Sequence, residues 1–305
     1  MDSPHGAAVT AEDFGLKGPR GWAFRGVRLD AHPGSLIAVE GPSGSGRTCL
    51  LLALTGRMRP TEGAAEIGGH QLPKRMAAVR RICALGPVSG VTDLDPALTV
   101  GEHIRERALL QRRFGGSVRA LLRPRAERAA EARNRVDTAL AAAGLDLETL
   151  PKGPRTSVRD LERLEALRLS VALALIGGPR LLAVDDADMK LSDSEREEAW
   201  ALLRSVAAGG TTVVAVCSEA PEDAVRVSTV AAERPETAEA AEADGPEADE
   251  PAPHDPGEGT ADAADSDRAG DPDGAEETAE NETTDKTGET DEKGAADAIA
   301  ETGRA

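Results

Sequence analysis

The run Gly41-Pro42-Ser43-Gly44-Ser45-Gly46-Arg47-Thr48 sets three glycines among small hydroxyl residues and ends on a cation and a threonine. It fits the phosphate-loop pattern G-x-x-x-x-G-K-[ST], with Arg47 where the pattern has lysine. Glycines let backbone N–H groups converge on phosphate oxygens without Cβ clashes, and a helix starting near Thr48 points its positive end at the same anion. The Thr48 hydroxyl is the expected Mg²⁺ ligand, and Cys49 closes the stretch expected to touch the phosphates. The plain alternative is a glycine turn between a strand and a helix.

The elements that must hold this loop are legible around it. Trp22–Ala31 alternates loosely as a strand, Pro33-Gly34 turns, and Leu36–Val39 is a short apolar run suited to a buried parallel strand. Leu50–Leu54 reads as the first turns of a helix ending near Gly56, and Arg59–Gly63 as a turn. From about Val100 to Gly144 the chain reads as helical and Arg-rich, with Ala129, Ala132, Val136, Leu140 and Ala143 on one face. A helix over Leu161–Ile176, a break at Gly177-Gly178-Pro179, an apolar run Leu181–Val184, a helix Ser192–Ala208 and a strand Thr211–Val216 follow. Alternating strands and helices predict an α/β fold, a mainly parallel sheet flanked by helices with a helical subdomain inserted at about 87–160.

Charge divides the 305 residues into unlike parts. Residues 231–305 carry 25 acidic and 5 basic side chains, whereas the rest carry 29 and 31. The C-terminal part has a single large aliphatic residue, Ile299, so 232–305 reads as a disordered acidic tail behind a folded domain at 1–231. The near-neutral domain excludes a strongly basic nucleic-acid binder. Met1–Thr10 has no basic region followed by an apolar stretch, and no run approaches 18 apolar residues, so neither a signal peptide nor a membrane span of its own is expected. Cys49, Cys83 and Cys217 show no paired spacing and read as reduced core residues of a cytoplasmic protein. His5, His32, His70, His103 and His254 lack metal-ligand spacing and read as solvent or turn residues. Arg119, Arg123, Arg125, Arg128 and Arg133 form a basic stretch: a solvated face, or a surface for acidic lipid headgroups or the acidic tail.

Taken in order, the segments resemble the ATP-binding subunit of an ATP-binding cassette (ABC) transporter, a P-loop NTPase-type fold. The resemblance covers nearly all of residues 20–230. Arg59-Pro60-Thr61-Glu62-Gly63 with Ile67-Gly68-Gly69, then Leu94–Val100, then Leu175–Leu182 look like successive stretches of that family. The resemblance implies ATP and Mg²⁺ as ligands. Asp185 matches the Walker B aspartate, which would hold the Mg²⁺ water shell opposite Thr48; a turn-capping aspartate is the alternative. Asp186 stands where the family has its catalytic glutamate, one methylene short, and so reads as a poor base. Trp22 is the candidate platform for adenine, with Phe14 the other upstream aromatic and Phe24 reading as an inward strand residue.

The departures all fall on catalytic or sensing positions. Arg47 keeps the charge of the family's lysine on a bulkier planar fork. The glutamine expected near Leu85-Gly86-Pro87 is missing. Leu161-Glu162-Arg163-Leu164-Glu165 stands at the signature motif, with two acids where the family donates to a γ-phosphate; an ordinary amphipathic helix is the simpler reading of that segment. Met189-Lys190-Leu191-Ser192 replaces the family's aspartate-ended loop, and Ser218 its histidine. The resemblance with these losses implies a subunit that binds ATP·Mg²⁺ and docks on a separate transmembrane permease at the inner face of the cell membrane, with hydrolysis weak or lost. A second ATP-binding subunit is implied as a dimer partner. A fully active transport ATPase and a non-catalytic interaction module of the same fold are the alternatives.

Overall fold

The structure, a computed structural model, describes residues 5–114 and 124–229. The expected tail at 232–305, His254, Arg119 and Arg123 lie outside the described residues. In chain order the elements are β1 (Val9–Gly18), β2 (Gly21–Ala31), β3 (Leu36–Glu40), α1 (Arg47–Leu54), β4 (Glu62–Ile67), β5 (His70–Leu72), α2 (Met76–Ile82) and β6 (Cys83–Leu85). Then come α3 (Val100–Phe114), α4 (Arg125–Ala142), α5 (Arg163–Leu175), β7 (Leu181–Val184), α6 (Asp193–Ala208), β8 (Thr212–Val216) and β9 (Val225–Ser228).

Five strands form a parallel sheet in the order β6-β7-β8-β3-β9. Its central strands β3, β7 and β8 are apolar runs, Leu36–Val39, Leu181–Val184 and Val213–Val216, because both faces are covered, whereas edge strand β9 exposes Arg226 and Ser228. Ile37 and Val39 of β3, Leu181 and Ala183 of β7, and Val214 and Val216 of β8 face one core. Leu36, Ala38, Leu182, Val184, Val213 and Ala215, alternating with them, face another, where Leu164, Leu167 and Val171 of α5 and Trp200 and Leu203 of α6 cover them. Each buried Val, Leu or Ile side chain among them contributes about 1.5–3 kcal/mol.

The first core is closed by a second sheet. This antiparallel sheet, ordered β2-β1-β4-β5, packs Phe14, Phe24, Val27 and Ile67 onto Leu50, Leu51 and Leu54, so α1 lies between the two sheets. Only β2 of this sheet is legible in the sequence. In β1 the buried residues Val9 and Ala11 change parity before Phe14 and Leu16, because Asp13 sits at φ 46° in a register shift. Glu62 and Gly63, read as turn, open β4 instead. A small third core of Val100, Leu145, Leu150 and Leu169 joins α3 to α5.

Candidate functional site

β3 delivers the chain to the glycine-rich loop, and α1 leaves it. Gly46 is the N-cap of α1 with φ 81°, and a Cβ there would stand 2.0 Å from the Ala23 carbonyl oxygen of β2. Only glycine meets both demands. Gly44, at φ 82°, faces open space, and Pro42, Ser43 and Gly44 form the exposed crest. Within the loop Ser45 donates its N–H to the Pro42 carbonyl at 3.1 Å, and the first intrahelical bond runs from Leu50 N–H to Gly46 O at 2.8 Å. The N–H groups of the first turn therefore point outward without helical partners, as a cradle for an anion requires. Gly41, at φ 154°, lies where a Cβ would meet the Ser45 hydroxyl at 2.7 Å, and that hydroxyl is 2.6 Å from the hydroxyl of Thr229, just past β9. Thr229 is a loop anchor that no sequence signal marks.

Across the loop, Thr48 Oγ1 donates to Asp185 Oδ2 at 2.8 Å. Asp185 is buried at the end of β7, its N–H donated to the Pro87 carbonyl at 2.9 Å. Its other oxygen, Oδ1, is buried and has no partner among the described residues. Burial pushes the Asp185 carboxyl above the usual carboxylate range, and the Asp186 carboxylate adds to the rise; the Thr48 hydroxyl, the nearby Asp186 N–H, which does not reach hydrogen-bond geometry with Oδ1, and the Arg47 charge oppose it. An unpaired buried carboxylate oxygen beside a hydroxyl is the donor set of a hydrated divalent cation; among the described residues no cluster of three His, Cys, Asp or Glu could hold a metal by itself. That suits Mg²⁺, which keeps most of its waters and takes phosphate oxygens.

Arg47 departs from expectation. Its guanidinium turns inward, 9% exposed, and Nη1 donates to the Cys217 carbonyl oxygen at 2.5 Å beyond the end of β8. Asp186 follows Asp185 with φ 48°, half-buried, and helps line a cavity of about 170 Å³ with Pro87 and Arg163. Asp188, singled out by no sequence signal beyond its place in an Asp-rich run, is 6% exposed and accepts the N–H groups of Ser218 at 2.8 Å and Glu219 at 3.3 Å.

The segment at the signature position is an ordinary packed helix start. Glu162 is the N-cap of α5, and Glu165 Oε2 accepts its N–H at 2.9 Å in a capping box. Arg168 pairs with Glu198 of α6 at 2.6 Å. Phe14 and Phe24 are buried against each other with centroids 5.8 Å apart. Trp22 is 41% exposed, but the Arg25 guanidinium lies 4.6 Å and the Lys17 ammonium 5.6 Å from its ring centroid. Cys83 and Cys217 are buried, which pushes each thiol up to about 12, and half-buried Cys49 is also raised by burial. Such thiols are inert at neutral pH. His103, read as a solvent or turn residue, is buried: Thr99 caps α3 against Glu102 and turns the imidazole inward, with Nε2 3.2 Å from the Asp95 carbonyl. Arg125 and Arg133 are exposed on α4 and Arg128 is half-buried.

The family model described as "ABC transporter" matches residues 24–189. The chain is 31% identical over 217 residues to the daunorubicin resistance ATP-binding protein DrrA3 of Streptomyces coeruleorubidus, covering 70% of this chain and 61% of that protein. It is 31% identical over 186 residues to the Nod factor export ATP-binding protein I of Cupriavidus pinatubonensis, and 30% identical over 192 residues to the mouse ATP-binding cassette sub-family A member 7. It spans 51% of the first of these two and 8% of the second. The ATP-binding cassette MJ0796, in a dimeric post-hydrolysis state bound to ADP and Pi, matches 69% of this chain and 88% of its own with a TM-score of 0.53 at 23% identity. The cbiO1 subunit from Clostridium perfringens matches with a TM-score of 0.55 at 18% identity, over 69% and 78% of the two chains.

Proposed function

The chain belongs to the ABC transporter family and carries its ATP-binding domain, and on that footing we propose that it binds ATP·Mg²⁺ at the 41–48 loop and docks on a separate transmembrane permease, with hydrolysis weak or lost. The observation that carries this reading is the 2.8 Å bond from Thr48 to Asp185 beside an unpaired, buried Asp185 oxygen at the start of α1. The outward N–H groups of the loop and of the first turn bind phosphate oxygens, and Thr48 and Asp185 hold the cation's shell. Bound Mg²⁺ supplies charge neutralisation of the phosphates. Trp22 takes adenine only by exchanging its contact with Arg25 or Lys17 for the base.

Several features support weak hydrolysis. Asp186 reaches one methylene less far than a glutamate toward an attacking water. Ser218 stands in the histidine's place, with its N–H engaged by Asp188, and the α5 N-terminus carries two carboxylates. No helix among the described residues is long and apolar enough to cross a membrane, and on this reading the crossing belongs to the permease. Its docking face is the cleft of about 1030 Å³ between the β6 edge and α3, where exposed Val91 and Leu110 lie beside Arg57, Arg80 and Arg107. Titration calorimetry tests the reading: ATP should bind at micromolar to millimolar affinity with Mg²⁺, and Asp185→Ala should abolish the Mg²⁺-dependent part.

A further inference from the structure

The peptide unit between Cys217 and Ser218 is held at both polar ends by charged side chains from the two phosphate-site elements. Its carbonyl accepts from Arg47, the first residue of α1, at 2.5 Å. Its N–H donates to Asp188, three residues past Asp185, at 2.8 Å, and the next N–H, of Glu219, shares the same oxygen at 3.3 Å. A cation at the carbonyl end and an anion at the amide end both act along the peptide dipole. Both side chains are nearly sealed from water, at 9% and 6% exposure, so these bonds are weakly screened. Swinging Arg47 out to the loop crest would leave the buried Cys217 carbonyl without its charged partner.

We propose that Arg47 and Asp188 are positioning residues that clamp the Cys217–Ser218 peptide and fix the segment after β8 whatever nucleotide is bound, and that Arg47, so committed, leaves the site to take nucleoside diphosphate and triphosphate with equal affinity. The second half rests on reading the 41–48 loop as the nucleotide site. With Arg47 held at the Cys217 carbonyl, the loop's own cation does not meet the added charge of a terminal phosphate, and Asp186 opposes it. The loop and first-turn N–H groups, Thr48 and Asp185 remain, and they serve both nucleotides alike.

The test uses the full chain, with amide exchange at Ser218 and Glu219 and calorimetry with ADP·Mg²⁺ and ATP·Mg²⁺. The two nucleotides should bind within about threefold of each other, and the two amides should exchange at the same rate in the free, ADP-bound and ATP-bound protein. Arg47→Met or Asp188→Ala should accelerate those amides about tenfold, Asp188→Asn should restore most of the protection because it keeps an acceptor, and Arg47→Lys should create a preference of about tenfold for ATP. Tenfold ATP preference in the unaltered chain, lost in Arg47→Met, overturns the equal-affinity half and leaves nucleotide binding standing. Absence of binding by either nucleotide overturns that half together with the nucleotide-site reading. Unchanged exchange at Ser218 and Glu219 in the nucleotide-free variants overturns the clamp itself.

Discussion

Thr48 Oγ1 and Asp185 Oδ2 lie 2.8 Å apart and join the first turn of α1 to the end of β7 across the mouth of the glycine loop. The arrangement costs stability in the free protein, because the second oxygen of Asp185 is buried without a partner among the described residues. Burial raises this carboxyl above its ordinary value, so the native state binds a proton more tightly than the unfolded chain. Between the ordinary and the raised value, stability therefore falls as pH rises, and the penalty is complete above the raised value.

It follows that Asp185→Asn, which keeps an acceptor for Thr48, should raise the thermal midpoint of the nucleotide-free protein at pH 7 by about 2–4 °C, a gain that fades as pH falls through the raised value. The same variant should lose the Mg²⁺-dependent gain in nucleotide affinity. A scan of midpoint against pH for both proteins checks the first half. Destabilisation by the substitution at pH 7 would show that the charge is favourably held.

Gly46 and Gly44 share nearly the same φ and differ in surroundings. Gly46→Ala forces a Cβ onto the Ala23 carbonyl as well as a left-handed alanine, and should cost about 3 kcal/mol or more, measured by urea unfolding. Gly44→Ala meets no atom and should cost about 1 kcal/mol, yet weaken nucleotide binding by placing a methyl at the crest. Equal costs at the two positions would contradict the close approach of β2 to α1.

The carboxylates of Glu162 and Glu165 sit at the α5 N-terminus, and one of them caps it. A γ-phosphate brought there by a second copy of the chain would meet like charge. Sedimentation with ATP·Mg²⁺ should therefore show no nucleotide-dependent homodimer, whereas a dimer that tightens with ATP would refute this. Glu165→Ala should cost about 1 kcal/mol of stability through loss of the capping box.

What the sequence made legible was the part governed by local pattern. The apolar run Leu181–Val184 and the helix Ser192–Ala208 lie within a residue of the observed elements, because a strand buried on both faces and a Ser192 cap leave unambiguous signals. The glycine loop and the Thr48–Asp185 pair were legible through motif and family resemblance. β1 was not, since the shift at Asp13 breaks its alternation, nor was β4, whose Glu62-Gly63 start has turn composition. Arg47 could not be placed by sequence: residue type fixes its charge, but only the packing of β8 against β3 puts the Cys217 carbonyl within reach. Asp188 was missed for the same reason.

Nucleotide binding without efficient turnover is decided by steady-state phosphate release from the purified chain at saturating ATP·Mg²⁺. A shortened base at Asp186, the absence of a histidine at Ser218 and acids at the α5 N-terminus each typically lower the rate by about 10²-fold or more. Release should therefore stay near the enzyme-free blank while calorimetry on the same preparation reports bound ATP. Robust release that disappears in Asp186→Asn would overturn weak turnover and make this chain a working ATPase.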